Sequence, residues 1–331
     1  MMIKVGINGF GRIGRAVFKI AQTSKLFEVV AINDITDAKT LTHLLKYDSV
    51  YGRFNADIRT INDEIMVNDK KIKVFSINDP SQIPWESLGV EIVIESSGKF
   101  TDRDSAIKHL RGSVKKVIIT APAKKEDITI VLGVNEDKYN PKEHHIISNA
   151  SCTTNAFALM VKVLHENFGI ERGLMTTVHS FTNDQRVHDL PHKDLRRARA
   201  ASLNIIPTST GAATTIFRIY PELEGKIDAM SLRVPTPTVS IVDFSAVLKK
   251  EVSKEEINSA FKSAQNKYIG YTDEPLVSSD FIGDERSVII DGSLTQVVDR
   301  NFVKVFGWYD NEWGYSKRVV DLVEYIIQRG F

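Results

Sequence analysis

Short apolar runs alternate with longer stretches of helical periodicity over the first third of the chain. Residues 3–8 read as a buried strand, 12–23 as a helix and 28–33 as a second strand. Further strand-like runs follow at 91–95, 116–120 and 129–133. This alternation predicts an α/β unit with a mostly parallel, doubly wound sheet, because parallel strands need crossover helices that cover both faces. The texture changes near residue 151. Residues 155–168 place Ala156, Leu159, Val163 and Leu164 on one face of an amphipathic helix. Longer β-rich runs come at 173–179, 227–234, 240–249, 287–291 and 302–309, and predict a second, α+β unit with a mostly antiparallel sheet. Between them, 181–204 is polar, basic and irregular, and reads as a long surface loop. A last amphipathic helix is expected over 310–331.

Composition narrows the functional classes. The 331 residues are long enough for two domains, and 42% hydrophobic content supports sizeable cores. Lys plus Arg is 43 against 42 for Asp plus Glu. A net charge so near zero gives no general electrostatic reason to bind nucleic acid or an anionic membrane. The N-terminus runs straight into a strand pattern, so no signal peptide is expected, and no apolar stretch approaches the roughly 18 residues of a spanning helix. A single unpaired cysteine fits a reducing, cytoplasmic setting.

The first motif lies in Gly6-Ile7-Asn8-Gly9-Phe10-Gly11-Arg12-Ile13-Gly14. It has the G-x-G-x-x-G spacing at Gly9, Gly11 and Gly14, follows a strand and opens a helix. Asp34 stands 20 residues after Gly14, at the end of the next strand pattern. That context is the fingerprint of dinucleotide binding. Gly9 would make the tight turn, Gly11 would admit a pyrophosphate to the backbone, and Gly14 would allow close helix–strand packing. The Asp34 carboxylate would accept ribose hydroxyls and repel a 2′-phosphate, favouring NAD over NADP.

The second motif surrounds the only cysteine, Cys152, in Ser148-Asn149-Ala150-Ser151-Cys152-Thr153-Thr154-Asn155. One cysteine allows neither an internal disulfide nor a cysteine-built metal site, and no metal is expected. A buried filler, a redox-sensitive thiol or a nucleophile remains. Hydroxyls on both sides and amides beyond resemble the wall of a polar pocket. A nucleophilic thiol needs a base. Among eight histidines, His43, His109 and His165 read as surface groups on helix faces or loops. His179 ends a strand and opens a polar loop, where side chains reach clefts. Candidates to hold an anion are Thr182, Thr208-Ser209-Thr210-Gly211, Arg233 and the cluster Arg196-Arg197-Ala198-Arg199. The cluster reads equally well as a solvated basic face or a subunit contact.

Seven runs, in order along the whole chain, resemble the phosphorylating, NAD-dependent glyceraldehyde-3-phosphate dehydrogenases. They are I-N-G-F-G-R-I-G, S-N-A-S-C-T-T-N, T-T-V-H-S, L-R-R-A-R-A-A, I-I-P-T-S-T-G-A-A, R-V-P-T and W-Y-D-N-E-W-G-Y-S. The resemblance implies a Rossmann domain over 1–150, a catalytic domain over 151–315, and a C-terminal helix over 316–331 that packs back on the first domain. It implies a homotetramer in which loop 181–204 reaches a neighbouring cofactor site. It also implies that Cys152 attacks glyceraldehyde 3-phosphate, that His179 is the base, and that inorganic phosphate cleaves the resulting thioester. Carried over by position, Ser151, Thr153, Arg197, Thr210 and Gly211 hold the attacking phosphate, and Thr182 and Arg233 the substrate phosphate. Arg12, Ile13, Asp34, Thr120 and Asn311 contact NAD, Tyr315 lies near the nicotinamide, and Leu190-Pro191 accompany NAD preference.

The chain departs from the family at Asn78, where many members carry an arginine near the adenine. It departs again at Ser97, where threonine is usual in E-S-T-G, and at Thr214, where lysine is usual. The neighbouring reading is erythrose-4-phosphate dehydrogenase, which lacks the Thr-Gly pair kept here as Thr210-Gly211. A non-catalytic NAD- or RNA-binding role is secondary, and no primary nucleic-acid partner is expected.

Overall fold

The structure, a computed structural model, describes residues 2–331. The chain divides into two compact units. The first runs to Ile130 and takes in Asn135–Ala150 and Ser316–Phe331; the second comprises Val131–Val134 and Ser151–Tyr315.

The first unit is built on a nine-stranded sheet, in the order Ile128–Thr129, Ile146–Ser148, Lys116–Ile119, Ile92–Glu95, Ile3–Asn8, Phe27–Asn33, Lys70–Phe75, Glu64–Val67 and Ile58–Ile61. The first seven strands are parallel, and the last two join as antiparallel hairpins. Ile92–Glu95 and Lys116–Ile119 are buried at every position, as expected for strands covered on both faces. The strand expected over 129–133 is shorter than its apolar run. Only Ile128–Thr129 joins the ladder; Ile130, Val131 and Leu132 are buried, but the chain there turns through a bond from Val134 N to Val131 O (3.0 Å). Apolar content fixed burial at this point, not pairing.

The second unit carries an eight-stranded sheet. Its order is Ile206–Ser209, Ile227–Val234, Ile170–Ser180, Ser240–Leu248, Phe302–Tyr309, Val288–Asp291 and Ile269–Thr272, with Gln296–Val298 paired beside Phe302–Tyr309. Two pairings are parallel and the rest antiparallel. Ser240–Leu248 alternates strictly between buried and half-buried residues, so one face of the sheet is covered. That cover includes the helix Cys152–Phe168, whose Phe157 ring meets Phe244 edge-on at 4.9 Å. Gly307 lets this helix approach: a Cβ there would stand 2.8 Å from Met160 Sδ.

Three expectations change in this unit. The helix predicted from residue 155 begins at Cys152, because the Ser151 hydroxyl caps it. It is also not amphipathic. Thr153 to Val161, Val163 and Leu164 are all buried, since the helices Ala212–Ile219 and Lys254–Ser263 contact it as well as the sheet. The last helix starts at Trp313 rather than 310. Asp310 Oδ1 accepts from the backbone N–H of Glu312 (3.0 Å) and Trp313 (2.9 Å), and so serves as its opening cap. Residues 181–204 form no helix or strand.

Phe157 and Phe244 are both fully buried, so Phe157→Ala should lower unfolding stability by about 3–5 kcal/mol. Chemical denaturation followed by circular dichroism would read this as a lower midpoint.

Candidate active site and dinucleotide cleft

Cys152 is placed by a tight sequence of local constraints. Ala150 adopts a left-handed backbone (φ 54°) and donates its N–H to Ser148 Oγ at 3.0 Å. Ser151 is then extended and accepts from Thr154 N at 3.0 Å, which starts the helix. Cys152 is therefore the first helical residue, where backbone N–H groups are not used within the helix and favour negative charge. His179 lies near the carboxyl end of Ile170–Ser180, with Nε2 3.5 Å from Cys152 Sγ. Cys152 and His179 are thus brought together.

Arg233 pairs with His179 across the parallel strands. The Ser180 carbonyl lies 2.7 Å from His179 Nδ1 and 3.1 Å from Arg233 Nη1. A carbonyl can only accept, and a guanidinium can only donate. With hydrogen on Nδ1 the carbonyl accepts from both groups and Nε2 faces the sulfur as a base; Arg233 Nη1 also stands 2.8 Å from Nδ1, where it donates in the other tautomer. Burial, and then the Arg233 charge, pull the His179 imidazole down to about 3. Burial pushes the Cys152 thiol up, against the Arg233 charge, the Thr153 hydroxyl and backbone N–H, and its own N–H. The two groups thus face each other as neutral thiol and neutral imidazole, and added positive charge nearby would favour the thiolate. Arg233 Nε is buried without a partner, an unused donor.

The hydroxyls around the cysteine are held by the protein. Ser151 Oγ lies 2.8 Å from Thr154 Oγ1, in addition to its capping bond. Thr153 Oγ1 lies 2.9 Å from Tyr309 OH, which is 2.8 Å from Thr177 Oγ1. Tyr309 falls within the run W-Y-D-N-E-W-G-Y-S, but its partners stand 156 and 132 residues away, so sequence does not tie it to the cysteine. Thr210 Oγ1 accepts from Ala212 N at 3.3 Å, and Gly211 opens the helix Ala212–Ile219. Thr182 N donates to Gln185 Oε1 at 3.2 Å, and Gln185 Nε2 is buried with no partner. Arg197 pairs with Asp184 and Asp194, and both its charge and that of Asp184 act on Arg233. Asn311 Oδ1 accepts from Ser180 Oγ (2.9 Å) and Ser240 Oγ (3.0 Å), which leaves its amide nitrogen as the remaining donor. Tyr315 is buried. Leu190 and Pro191 lie in the surface loop, where Leu190 is exposed. Thr214 is exposed on the helix Ala212–Ile219, and nothing in the structure explains it.

In the first unit the glycine fingerprint forms a cleft with Asp34, Asn78, Ser97 and Phe100. Gly9 has φ 89°, and a Cβ there would strike Ser97 N at 2.4 Å. A Cβ on Gly14 would strike Gly9 O at 2.3 Å, so Gly14 admits the turn above it rather than a strand. Gly11 differs, because a Cβ would meet nothing within 4 Å. Its bareness keeps space open at the start of the helix Arg12–Ala21, whose N-cap carries no side-chain bond. Open space and unspent N–H groups there suit a pyrophosphate. Asp34 is held by Phe10 N (2.7 Å) and Thr36 N (3.0 Å), with its carboxylate on the cleft wall where ribose hydroxyls would bind. These residues fit NAD. Ile13 lies in the first helical turn, and the Arg12 guanidinium is paired with Asp48 at 3.3 Å. Thr120 bonds through its hydroxyl to Glu95 O at 3.2 Å. His109, read from sequence as a surface group, is fully buried between Trp85 and Glu95.

Two outcomes follow from these geometries. Removing the Arg233 cation takes away positive charge that favours the thiolate, so Arg233→Gln should slow iodoacetamide alkylation of Cys152 at neutral pH by about tenfold. Asp34→Ala should weaken NAD binding by about ten- to a hundredfold in calorimetry, the loss of a charged acceptor for two hydroxyls.

Comparison with known proteins agrees with this arrangement. Residues 3–103 match the family description "Glyceraldehyde 3-phosphate dehydrogenase, NAD binding domain", and residues 151–311 match "Glyceraldehyde 3-phosphate dehydrogenase, C-terminal domain". The chain is 59% identical to the glyceraldehyde-3-phosphate dehydrogenase of Geobacillus stearothermophilus, covering 100% of both chains. It is 57% identical to glyceraldehyde-3-phosphate dehydrogenase 1 of Bacillus cereus, covering 99% of this chain and 100% of that one. It is 55% identical to glyceraldehyde-3-phosphate dehydrogenase 2 of Streptomyces avermitilis, covering 98% and 99% respectively. With both domains matched in order and full-length relatives above half identity, the chain belongs to the glyceraldehyde-3-phosphate dehydrogenase family.

Proposed function

We propose that the protein oxidises D-glyceraldehyde 3-phosphate and transfers the acyl group to inorganic phosphate, yielding 1,3-bisphosphoglycerate, with Cys152 as the covalent carrier. The observation that carries this reading is the Cys152–His179 pair at a helix start beside the half-buried Arg233 cation. Cys152 Sγ attacks the aldehyde carbon, and its proton passes through His179 Nε2 to the carbonyl oxygen, giving a hemithioacetal. His179 Nε2 then removes the hydroxyl proton as the carbon is oxidised to a thioester. NAD, when bound, supplies the acceptor for the hydride lost from that carbon. Inorganic phosphate attacks the thioester carbonyl, and the sulfur leaves as thiolate. Sulfur suits the role because a thioester keeps enough free energy to acylate phosphate.

Arg233 and Thr182 hold the substrate phosphate in this reading, and Ser151, Thr153, Arg197, Thr210 and Gly211 hold the attacking one. Arg197 comes with Asp184 and Asp194 already on its guanidinium, so phosphate must compete with carboxylates there. Asn311 supplies its amide nitrogen to NAD, with Tyr315 near the nicotinamide and Arg12, Ile13, Asn78 and Thr120 along the dinucleotide. Asn78 is shorter than the arginine of many family members, which weakens that adenine contact.

The active form is a cytoplasmic homotetramer. Supporting this, loop 181–204 and the residues just beyond it expose Val187, Leu195, Leu203 and Ile205, a density of apolar side chains unusual for a solvated loop. No helix among the described residues is long and apolar enough to cross a membrane.

Following NADH absorbance with glyceraldehyde 3-phosphate, with and without inorganic phosphate, tests the reaction, and erythrose 4-phosphate tests the substrate. Turnover should require phosphate and favour the three-carbon aldehyde. Phosphate-independent turnover would sink the acyl transfer, and faster oxidation of erythrose 4-phosphate would sink the substrate. Cys152→Ser should abolish NADH formation while NAD binding persists.

A further inference from the structure

The reaction uses neither Glu95 nor His109, yet these are among the most buried titratable residues of the first unit. Trp85 lies against the sheet at Gly6, where a Cβ would meet its ring at 2.7 Å. Its indole Nε1–H can only donate, and it lies 3.1 Å from His109 Nδ1. Nδ1 must therefore accept, so the His109 proton sits on Nε2 and points to Glu95 Oε2 at 3.0 Å. Asn8 Nδ2 donates to the same oxygen, and Ser97 donates its N–H (2.8 Å) and its hydroxyl to Oε1. The carboxylate is thus held by four neutral donors.

The directions continue beyond it. With its nitrogen spent on Glu95, Asn8 offers Oδ1 to Asn33 Nδ2 at 2.7 Å. Asn33 Oδ1 in turn accepts from Ile77 N at 2.9 Å. From Trp85 to Ile77, each donor and acceptor is set by its neighbour, beginning with one group that cannot reverse. Four members of this chain, Asn8, Asn33, Ile77 and Ser97, line the cleft that also carries Asp34.

We infer that Trp85, His109 and Glu95 are positioning residues for the adenosine end of the dinucleotide. They set NAD affinity by holding the cleft wall, through Glu95, in a single hydrogen-bonded arrangement. The inference rests on the reading of this cleft as the NAD site. The physical reason is that a buried carboxylate losing one of its donors must turn toward another or take in water. Asn8 and Ser97 are the groups it would pull with it.

The test is binding of ADP-ribose to the full-length protein by calorimetry, together with steady-state turnover. His109→Phe should weaken ADP-ribose about tenfold and raise the KM for NAD, with kcat at saturating NAD and alkylation of nucleotide-free Cys152 within twofold of the parent. His109→Gln, whose amide can both accept from Trp85 and donate to Glu95, should recover most of the affinity. A folded His109→Phe whose ADP-ribose affinity falls less than threefold overturns the inference, as does a His109→Gln that recovers nothing. If His109→Phe does not fold, Trp85→Phe decides by the same threefold threshold, since it removes the indole donor, keeps an aromatic ring and leaves His109 and Glu95 in place. Asp34→Ala separates the two levels. Unchanged ADP-ribose affinity in Asp34→Ala would overturn the cleft itself, whereas loss there with none in His109→Phe would overturn only the positioning role.

Discussion

Burying a 17-residue helix on almost every side leaves its first residue little freedom, and in the second unit that residue is Cys152. The sheet fixes the helix from one face through Phe244 and Gly307, and two further helices contact it. The same sheet carries His179 and Arg233 at paired positions of neighbouring strands. Cys152, His179 and Arg233 therefore derive their separations from one packed core. A 3.5 Å approach between Sγ and Nε2 needs no flexible loop to maintain it.

The burial that fixes the geometry also works against ionisation. It pushes the thiol up and the imidazole down, so neither is charged at neutral pH in the nucleotide-free pair. Arg233 and the helix start oppose this for the thiol, but Arg233 reinforces it for the histidine. A neutral imidazole is what proton abstraction requires. The design therefore spends thiolate population to keep the base free, and leaves the thiol responsive to whatever cation enters beside it.

Much of this was legible in the chain. Residues 3–8 form a strand, as the apolar Ile3, Val5 and Ile7 at alternate positions announce. The glycine fingerprint and Asp34 were legible because backbone geometry dictates them locally. What escaped was non-local or subtle. Ser151 caps the helix through Thr154, without the acidic third residue that announces a capping box, so periodicity alone places the helix start three residues late. His109 looked like a surface group because its partners, Trp85 and Glu95, lie 24 and 14 residues away. The helix at 155–168 reads as amphipathic because Asn155, Lys162, His165, Glu166 and Asn167 suggest a polar face, and sequence does not show that Asn155 is buried or that further helices cover the other sides.

The left-handed Ala150 carries a consequence for how such a chain can change over time. It sits immediately before the cap, so the length of the segment from Ser148 to Cys152 decides which residue stands at the cap. The buried run from Thr153 onward holds the helix in phase, so inserting or deleting one residue here would not turn the sulfur but would break the match between the Ser148 bond, the left-handed Ala150 and the Ser151 cap. Substitutions at these positions are tolerable in principle, but changes of length are not. The junction behaves as a counted spacer, and descendants of this sequence are free to vary its letters far more than their number.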